Sequence, residues 1–108
     1  MNPATLTSVY FIGIGGIGMS AIARYFHTRG IVVAGYDKTE TSLTQQLQAE
    51  GIDVNYTEDL DVLPQKIDLV VYTPAVPRDH KQLVHLLNTG VPVMKRAQVL
   101  GLISQQQK

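Results

Sequence analysis

Four glycines in a six-residue segment constrain the fold of this chain more than any other feature. In the sequence FIGIGGIGMSAIARYF, residues 11–26, an apolar run leads into Gly13, Gly15, Gly16 and Gly18, and a helical pattern follows. Three of them have the spacing G-x-G-x-x-G. In that arrangement the first glycine permits a tight turn, the second lets a ligand approach the backbone, and the third lets the helix pack closely on the strand. The segment therefore predicts a strand–turn–helix unit.

The rest of the chain alternates between apolar, β-rich runs and helical patterns. Ile22 and Phe26 lie four residues apart, with Met19 and Ala23 beside them, as on one face of a helix. The periodicity predicts strands over residues 9–14, 31–36, 52–56, 68–73 and 91–95, and helices over residues 17–29, 43–50, 80–89 and 97–104.

Polar residues and glycines mark the predicted helix ends. Ser42 followed by Gln45, and Asp79 followed by Gln82, predict capping boxes at the starts of the second and third helices. Left-handed C-terminal caps are predicted at the glycines that follow a helix and precede a strand, namely Gly30, Gly51 and Gly90.

This alternation predicts an α/β fold. Strands that are almost continuously apolar and separated by helices indicate a parallel sheet covered on both faces. Right-handed crossovers then give a Rossmann-like, doubly wound sheet of five strands, for which we expect the order 3-2-1-4-5. The 108 residues contain no internal linker, so we predict a single domain over residues 1–108.

The composition excludes several classes of function. Nine basic residues balance nine acidic ones, so no basic excess indicates nucleic acid or an anionic membrane as a partner. The sequence has no cysteine, which excludes disulfides, thiolate metal sites and a cysteine nucleophile. We see no signal peptide and no apolar stretch long enough to cross a bilayer, so a cytoplasmic location is expected.

The glycine-rich turn predicts a ligand that carries phosphate. Free N–H groups at the start of the following helix, together with its dipole, favour an anion there. Asp37 ends the second predicted strand about 20 residues later, where an acidic side chain accepts hydrogen bonds from a ribose. Two alternatives stay open at this point: a glycine cluster that serves only packing, and an aspartate that only caps a turn.

The sequence TPAVPRD, residues 73–79, is predicted to face the glycines across the crevice at the carboxyl ends of strands one and four. Thr73 offers a hydroxyl, Ala75 and Val76 offer N–H groups, and two prolines stiffen the loop. The segment KRA, residues 95–97, ends the last predicted strand, and the guanidinium of Arg96 there could hold an anion through two hydrogen bonds. Two alternatives stay open: the loop serves only as a rigid connection between elements, and Arg96 is only a surface arginine.

No catalytic constellation is present in the sequence. His27 and His85 lie within helical patterns and His80 lies near a helix start, so all three are expected to be partly exposed helix residues. The acidic segment EDLD, residues 58–61, is interpreted as a solvated turn. We find no metal-ligand spacing, nucleophile elbow or P-loop.

Four segments, in order along the chain, resemble the amino-terminal domain of the Mur ligase family of peptidoglycan synthesis, and most of all its ligases that attach L-alanine to UDP-N-acetylmuramate. VYFIGIGGIGMSAIA is similar to the opening of that domain, and VVAGYD to its V-x-G-x-D segment. VVYTPAV resembles V-V-x-S-S-A-I, and VPVMKRAQVL resembles I-P-V-x-x-R-A-x-x-L.

The resemblance implies a uridine nucleotide rather than a nicotinamide dinucleotide. The glycine loop would take the diphosphate of UDP-N-acetylmuramate, and Asp37 would lie on the uridine side. The remaining substrate pocket would include Thr73, Ala75 and Arg96. The full set of residues implied in UDP binding is Gly13, Ile14, Gly15, Gly16, Ile17, Gly18, Asp37, Thr73, Pro74, Ala75 and Arg96.

The resemblance also implies chemistry elsewhere in a longer protein. A central domain with a G-T-x-G-K-[TS] loop would use ATP and magnesium to form an acyl phosphate, and a C-terminal domain would complete the amino-acid site. That loop is absent from this chain. We therefore expect a truncated, substrate-binding piece with no cofactor of its own, which does not catalyse ligation alone.

The sequence departs from the family pattern at two places. Thr57-Glu58 stands where many members have Gly-His, and Thr73-Pro74 stands where Ser-Ser is usual. Pro74 has no N–H to donate. Two alternatives stay open: an NAD(H)-binding regulatory module, and the related ligase that recycles murein peptides.

Overall fold

Five parallel strands form one sheet in the computed structural model, which describes residues 5–106. The strand order across the sheet is β3-β2-β1-β4-β5, and every neighbouring pair is parallel. This confirms the predicted doubly wound topology, while residues 1–4 and 107–108 of the predicted domain lie outside the described residues. The elements are β1 (Ser8–Ile12), α1 (Ile17–His27), β2 (Val32–Tyr36), α2 (Ser42–Ala49), β3 (Asp53–Asn55), a 3₁₀ turn (Leu60–Val62), β4 (Leu69–Tyr72), α3 (Lys81–Thr89), β5 (Val93–Lys95) and α4 (Arg96–Gln106).

Helices cover both faces of the sheet. Val9 and Phe11 of β1 belong to a core with α1, α2 and α4, whereas Tyr10 and Ile12 belong to a second core with α3. Successive side chains of a strand point to opposite faces, so β1 must be apolar at every position to fill both cores. This is why its sequence is a continuous apolar run.

The first strand ends earlier than the sequence predicts. Gly13 has a φ of +94°, which turns the chain out of the sheet directly after Ile12. The N–H groups of Gly13 and Ile14 then both donate to the carbonyl of Tyr36, at 2.8 and 3.0 Å. The left-handed conformation predicted for the glycines after the helices is confirmed, with φ values of +80° at Gly30, +101° at Gly51 and +83° at Gly90.

Both predicted capping boxes are wrong: the box of α2 begins one residue earlier, and α3 has a single side-chain cap one residue later and no capping box. The N-cap of α2 is Thr41, whose hydroxyl accepts the Thr44 N–H at 3.2 Å while the Thr44 hydroxyl accepts the Thr41 N–H at 2.9 Å. Thr41 is extended, so Ser42 already lies inside the helix. The N-cap of α3 is His80 rather than Asp79. Gln82 is fully buried and uses its side chain elsewhere.

Candidate functional site

A cleft of about 600 Å³ opens at the carboxyl edge of the sheet. Its walls come from the segments that follow β1, β2, β3 and β4, and from the start of α3. A ligand crevice is expected at this edge in a doubly wound sheet, where crossovers leave to opposite faces. The lining residues are Gly13, Gly15, Gly16, Tyr36, Asp37, Lys38, Glu58, Thr73, Ala75, Val76, Pro77 and His80.

The glycine loop, residues 13–18, leads into an uncapped helix. Gly16 is the N-cap of α1, and no side chain accepts a hydrogen bond at this helix start. No acceptor within residues 5–106 pairs with the N–H groups of Ile17, Gly18 or Met19. α2 and α3, by contrast, both have side-chain caps. The start of α1 therefore offers free donors and a positive dipole end.

Asp37 is tied to the glycine loop. One carboxylate oxygen accepts the Gly15 N–H at 2.7 Å, and the other accepts the Thr39 N–H at 3.1 Å. The side chain therefore fixes the distance between the end of β2 and the loop. Each oxygen keeps a further lone pair, so the carboxylate can still accept a hydroxyl from a ligand in the cleft.

The loop after β4 faces the glycine loop, as the sequence predicts. The Thr73 hydroxyl lies 3.5 Å from the position that a Cβ on Gly13 would take. The Val76 N–H donates to the Thr73 carbonyl at 3.1 Å in a turn, so it is not offered to a ligand as expected. Pro74 is exposed and does not line the cleft.

Arg96 lies beside the glycine loop but outside the cleft lining. A Cβ built on Gly18 would come within 2.9 Å of Nη1 of Arg96 and 3.1 Å of its Cδ. The Arg96 side chain thus lies against Gly18, which is in the first turn of α1. Arg96 itself is the first residue of α4, because that helix begins at Arg96 and not at Ala97 as predicted. The position adds positive charge next to the free N–H groups.

Two isoleucines of the predicted binding set have opposite environments. Ile14 is fully buried, and its N–H is used by the Tyr36 carbonyl, so neither group faces the cleft. Ile17 is 86% exposed and does not line the cleft either. Of the predicted set, the structure brings together Gly13, Gly15, Gly16, Asp37, Thr73 and Ala75 around the cleft.

Sequence reasoning missed several residues of the cleft, including those beside the start of α3. The missed lining residues are Tyr36, Lys38, Glu58, Pro77 and His80. The sequence suggests a solvated turn at Glu58, yet the residue is half-buried and accepts the Lys81 N–H at 2.9 Å. No local pattern marks these residues, because three separate segments bring them together.

A buried hydrogen-bond network positions this wall. The Tyr10 hydroxyl donates to Gln82 at 2.7 Å, and the Gln82 amide donates to the carbonyls of Thr57 and Asp59, at 3.2 and 2.8 Å. Burial raises the pKa of Tyr10 to about 12, against the opposing effect of its hydrogen bonds, so the phenol remains a donor. The network fixes the backbone on both sides of Glu58.

His80 is a buried residue of the cleft and not the partly exposed helix residue that the sequence suggests. Its side chain is 3% exposed, and its Nδ1 accepts the Leu83 N–H at 3.3 Å. Its ring stands edge-on to Tyr36, with 4.5 Å between centroids. Burial lowers the pKa of His80, although the carboxylates of Glu58 and Asp79 oppose that shift.

The lowered pKa of His80 predicts a loss of stability in mild acid. Below the ordinary histidine pKa of 6.5, the unfolded chain binds a proton that native His80 resists. The free energy of unfolding therefore decreases as the pH is lowered. Urea unfolding between about pH 7.5 and pH 5.5 measures this effect. We expect wild-type protein to lose more stability over this interval than His80→Asn. Parallel pH profiles would contradict the assignment.

The structure gives no support for a metal centre or a membrane span in the described part of the chain. Within residues 5–106, no three histidine or acidic side chains lie close enough together to hold a metal ion. None of the described helices is long and apolar enough to cross a bilayer.

Comparison with known proteins identifies close relatives. The chain is 52% identical over 103 residues to a UDP-N-acetylmuramate–L-alanine ligase of Christiangramia forsetii, and 54% identical over 101 residues to one of Porphyromonas gingivalis. These alignments cover 90% and 89% of this chain but only 23% and 22% of the relatives. The chain thus spans less than a quarter of the length of these relatives.

Solved structures share the fold. A UDP-N-acetylmuramate–alanine ligase from Thermotoga maritima matches with a TM-score of 0.88 and 34% identity, over 94% of this chain and 23% of that one. A UDP-N-acetylmuramate:L-alanyl-gamma-D-glutamyl-meso-diaminopimelate ligase from Neisseria meningitides matches with a TM-score of 0.77 and 32% identity, over 89% and 30%.

A family model confirms the resemblance found in the sequence. The model described as "Mur ligase family, catalytic domain" matches residues 8–108. The chain therefore belongs to the Mur ligase family, as an amino-terminal domain of the kind found in UDP-N-acetylmuramate–L-alanine ligases.

Proposed function

We propose that this chain is the substrate-binding domain of a UDP-N-acetylmuramate–L-alanine ligase and that the glycine loop binds the diphosphate of UDP-N-acetylmuramate. The observation that carries the proposal is the uncapped start of α1, with the free N–H groups of Ile17, Gly18 and Met19. The Arg96 guanidinium lies beside Gly18. Free helix donors and a guanidinium are the groups that bind phosphates in proteins.

The cleft has room for the rest of the nucleotide. Its volume of about 600 Å³ is within the range of small-molecule sites. Asp37 borders the cleft next to the loop, where its free lone pairs would accept ribose hydroxyls. Thr73 and Ala75 line the opposite wall, where they would contact the sugar beyond the diphosphate.

The ligation reaction belongs, in this proposal, to the longer protein. The whole enzyme would use ATP and magnesium to form an acyl phosphate during peptidoglycan precursor synthesis in the cytoplasm. The residues present do not fit such a site: the sequence has no P-loop, and residues 5–106 hold no cluster suited to a metal. This chain would bind substrate and leave the chemistry to the central and C-terminal domains.

The related murein-peptide ligase is the second candidate, because one solved structure of that activity is 32% identical to this chain. The relatives at 52% and 54% identity favour the L-alanine ligase. Both candidates place a uridine nucleotide on this domain, so the test of binding below applies to either.

A titration followed by NMR tests the proposal. The ¹⁵N-labelled chain is titrated separately with UDP-N-acetylmuramate, UDP and NADH. We expect the uridine ligands to shift the amides of the glycine loop and of residues 73–76, and NADH to leave them unchanged. Shifts with NADH alone would favour the dinucleotide module, and no shift with any of the three would contradict binding by this chain.

A further inference from the structure

The tautomer of His80 follows from its hydrogen bond at the start of α3. Nδ1 accepts the Leu83 N–H, and an imidazole nitrogen that accepts a hydrogen bond carries no proton. The neutral ring therefore holds its proton on Nε2. A protonated ring would have a hydrogen on both nitrogens and would lose this cap, so the geometry favours the neutral form.

The Nε2–H of His80 is a buried donor without a partner. No acceptor among the described residues, 5–106, lies within hydrogen-bond distance of it. Leaving such a group unpaired is costly, and native structures rarely do so without a reason. Asn55 Oδ1 is also buried and unpaired in this part of the chain, but Asn55 does not line the cleft, whereas His80 does.

The two faces of the sheet separate His80 from the start of α1. The ring contacts Tyr36, which packs in the core beneath α3, while α1 packs on the opposite face. The cleft joins the two sides over the carboxyl edge. Asp37 connects them, because it accepts the Gly15 N–H and directly follows Tyr36 in the chain. With phosphate at α1 and ribose at Asp37, the wall of Tyr36, Glu58 and His80 is the one left for the base.

We propose that His80 recognises the base of the bound nucleotide, by donating its Nε2–H to a carbonyl oxygen of the pyrimidine. The inference rests on the proposed function and deepens it, since it names a residue that selects the base. A uracil ring offers two carbonyl acceptors and a flat face to set against Tyr36. A base carbonyl would pair the Nε2–H and remove the free-energy cost of leaving it unpaired. His80 should therefore strengthen the binding of ligands that carry a base and not of ligands without one.

The variant His80→Asn separates recognition from capping. Asparagine is a good N-cap, so α3 keeps its start, but its shorter side chain cannot present a donor at the Nε2 position. We expect UDP to bind about tenfold more weakly to His80→Asn than to wild type, and inorganic pyrophosphate to bind both equally. His85→Asn is the matched control, because His85 is exposed on the same helix and does not line the cleft.

NMR of the imidazole nitrogens gives a readout that capping alone would not change. Long-range ¹⁵N–¹H spectra should show the Nε2–H tautomer, with a shift at Nε2 on adding UDP and none on adding pyrophosphate. UDP affinity equal to wild type in His80→Asn, or an equal loss for UDP and pyrophosphate, would overturn the inference and leave the proposed function standing. Wild-type protein that fails to bind UDP would overturn both.

Discussion

Replacing Gly16 with alanine is expected to weaken UDP binding about ten- to a hundredfold and to leave the thermal stability of the chain nearly unchanged. Gly16 has a φ of −66°, which any residue adopts, and it is exposed. A Cβ there would lie 3.7 Å from the Gly13 carbonyl oxygen and 3.9 Å from Met19, which are ordinary contacts. The fold itself does not require glycine at this position, so the substitution should lower the affinity for UDP and not the stability.

Gly15 provides the contrast within the same loop. From sequence alone, Gly15→Val is expected to weaken binding because its side chain would occupy the space of the phosphate. The structure gives a different reason: a Cβ on Gly15 would lie 2.7 Å from the Asp37 carboxylate and 2.8 Å from Thr44 Cγ2. The added group would push Asp37 off its hydrogen bond with the loop and disturb the start of α2.

Calorimetric titration with UDP and thermal unfolding together distinguish the two positions. Gly15→Ala should lower both the affinity and the Tm, whereas Gly16→Ala should lower the affinity alone. If Gly16→Ala binds UDP as tightly as wild type, the glycine loop does not hold the diphosphate. If its Tm falls as far as that of Gly15→Ala, the steric argument for Gly16 is wrong.

The topology was predictable because it depends on local, repeated signals. β1, β2 and β4 are short apolar runs, α1, α2 and α3 each contribute buried apolar side chains to a core, and a glycine with positive φ follows each of these three helices. β1 is buried on both faces, so its sequence identifies it as a central strand without knowledge of its neighbours. The end of β1 was less predictable, because Ile14 continues the apolar run after the chain has left the sheet.

The wall of the cleft that faces α3 could not be predicted in the same way. Glu58 and His80 are 22 positions apart in the sequence, and what brings them together is a network from Tyr10 through Gln82 to the carbonyls that flank Glu58. A buried glutamine within a helix gives no local sign of such partners. His80 resembled a surface histidine, because the one-residue error in the N-cap hid its role at the helix start.

The glycine motif illustrates how a correct pattern leaves physical roles undecided. The spacing suggests that Gly18 lets the helix pack closely on the strand, but the nearest atoms to a Cβ there belong to Arg96. The sequence predicts Arg96 as a separate anion-binding residue at a strand end. In the structure Gly18 and Arg96 contact each other, and this contact depends on the packing of α4 beside α1.

Gly35→Ala is expected to destabilise the chain by about 2 to 3 kcal/mol, the largest effect on folding that we predict for a single methyl group. Gly35 lies within β2 and pairs with Phe11 on one side and Val54 on the other. A Cβ would come within 2.7 Å of the Phe11 carbonyl oxygen and 2.8 Å of Ile14 Cδ1. Backbone of a central strand cannot move aside as a flexible side chain can, so the strain has no easy release.

Gly101→Ala is the matched control for this change. Gly101 lies in α4, and a Cβ there has no neighbour within 4 Å. Alanine should therefore stabilise the chain by up to about 1 kcal/mol through its better helix propensity. Urea unfolding of the two variants should shift the midpoint in opposite directions. A Gly35→Ala midpoint at the wild-type value would mean that β1 and β2 yield to the methyl group, and that the glycine in V-x-G-x-D does not serve close packing under the glycine loop.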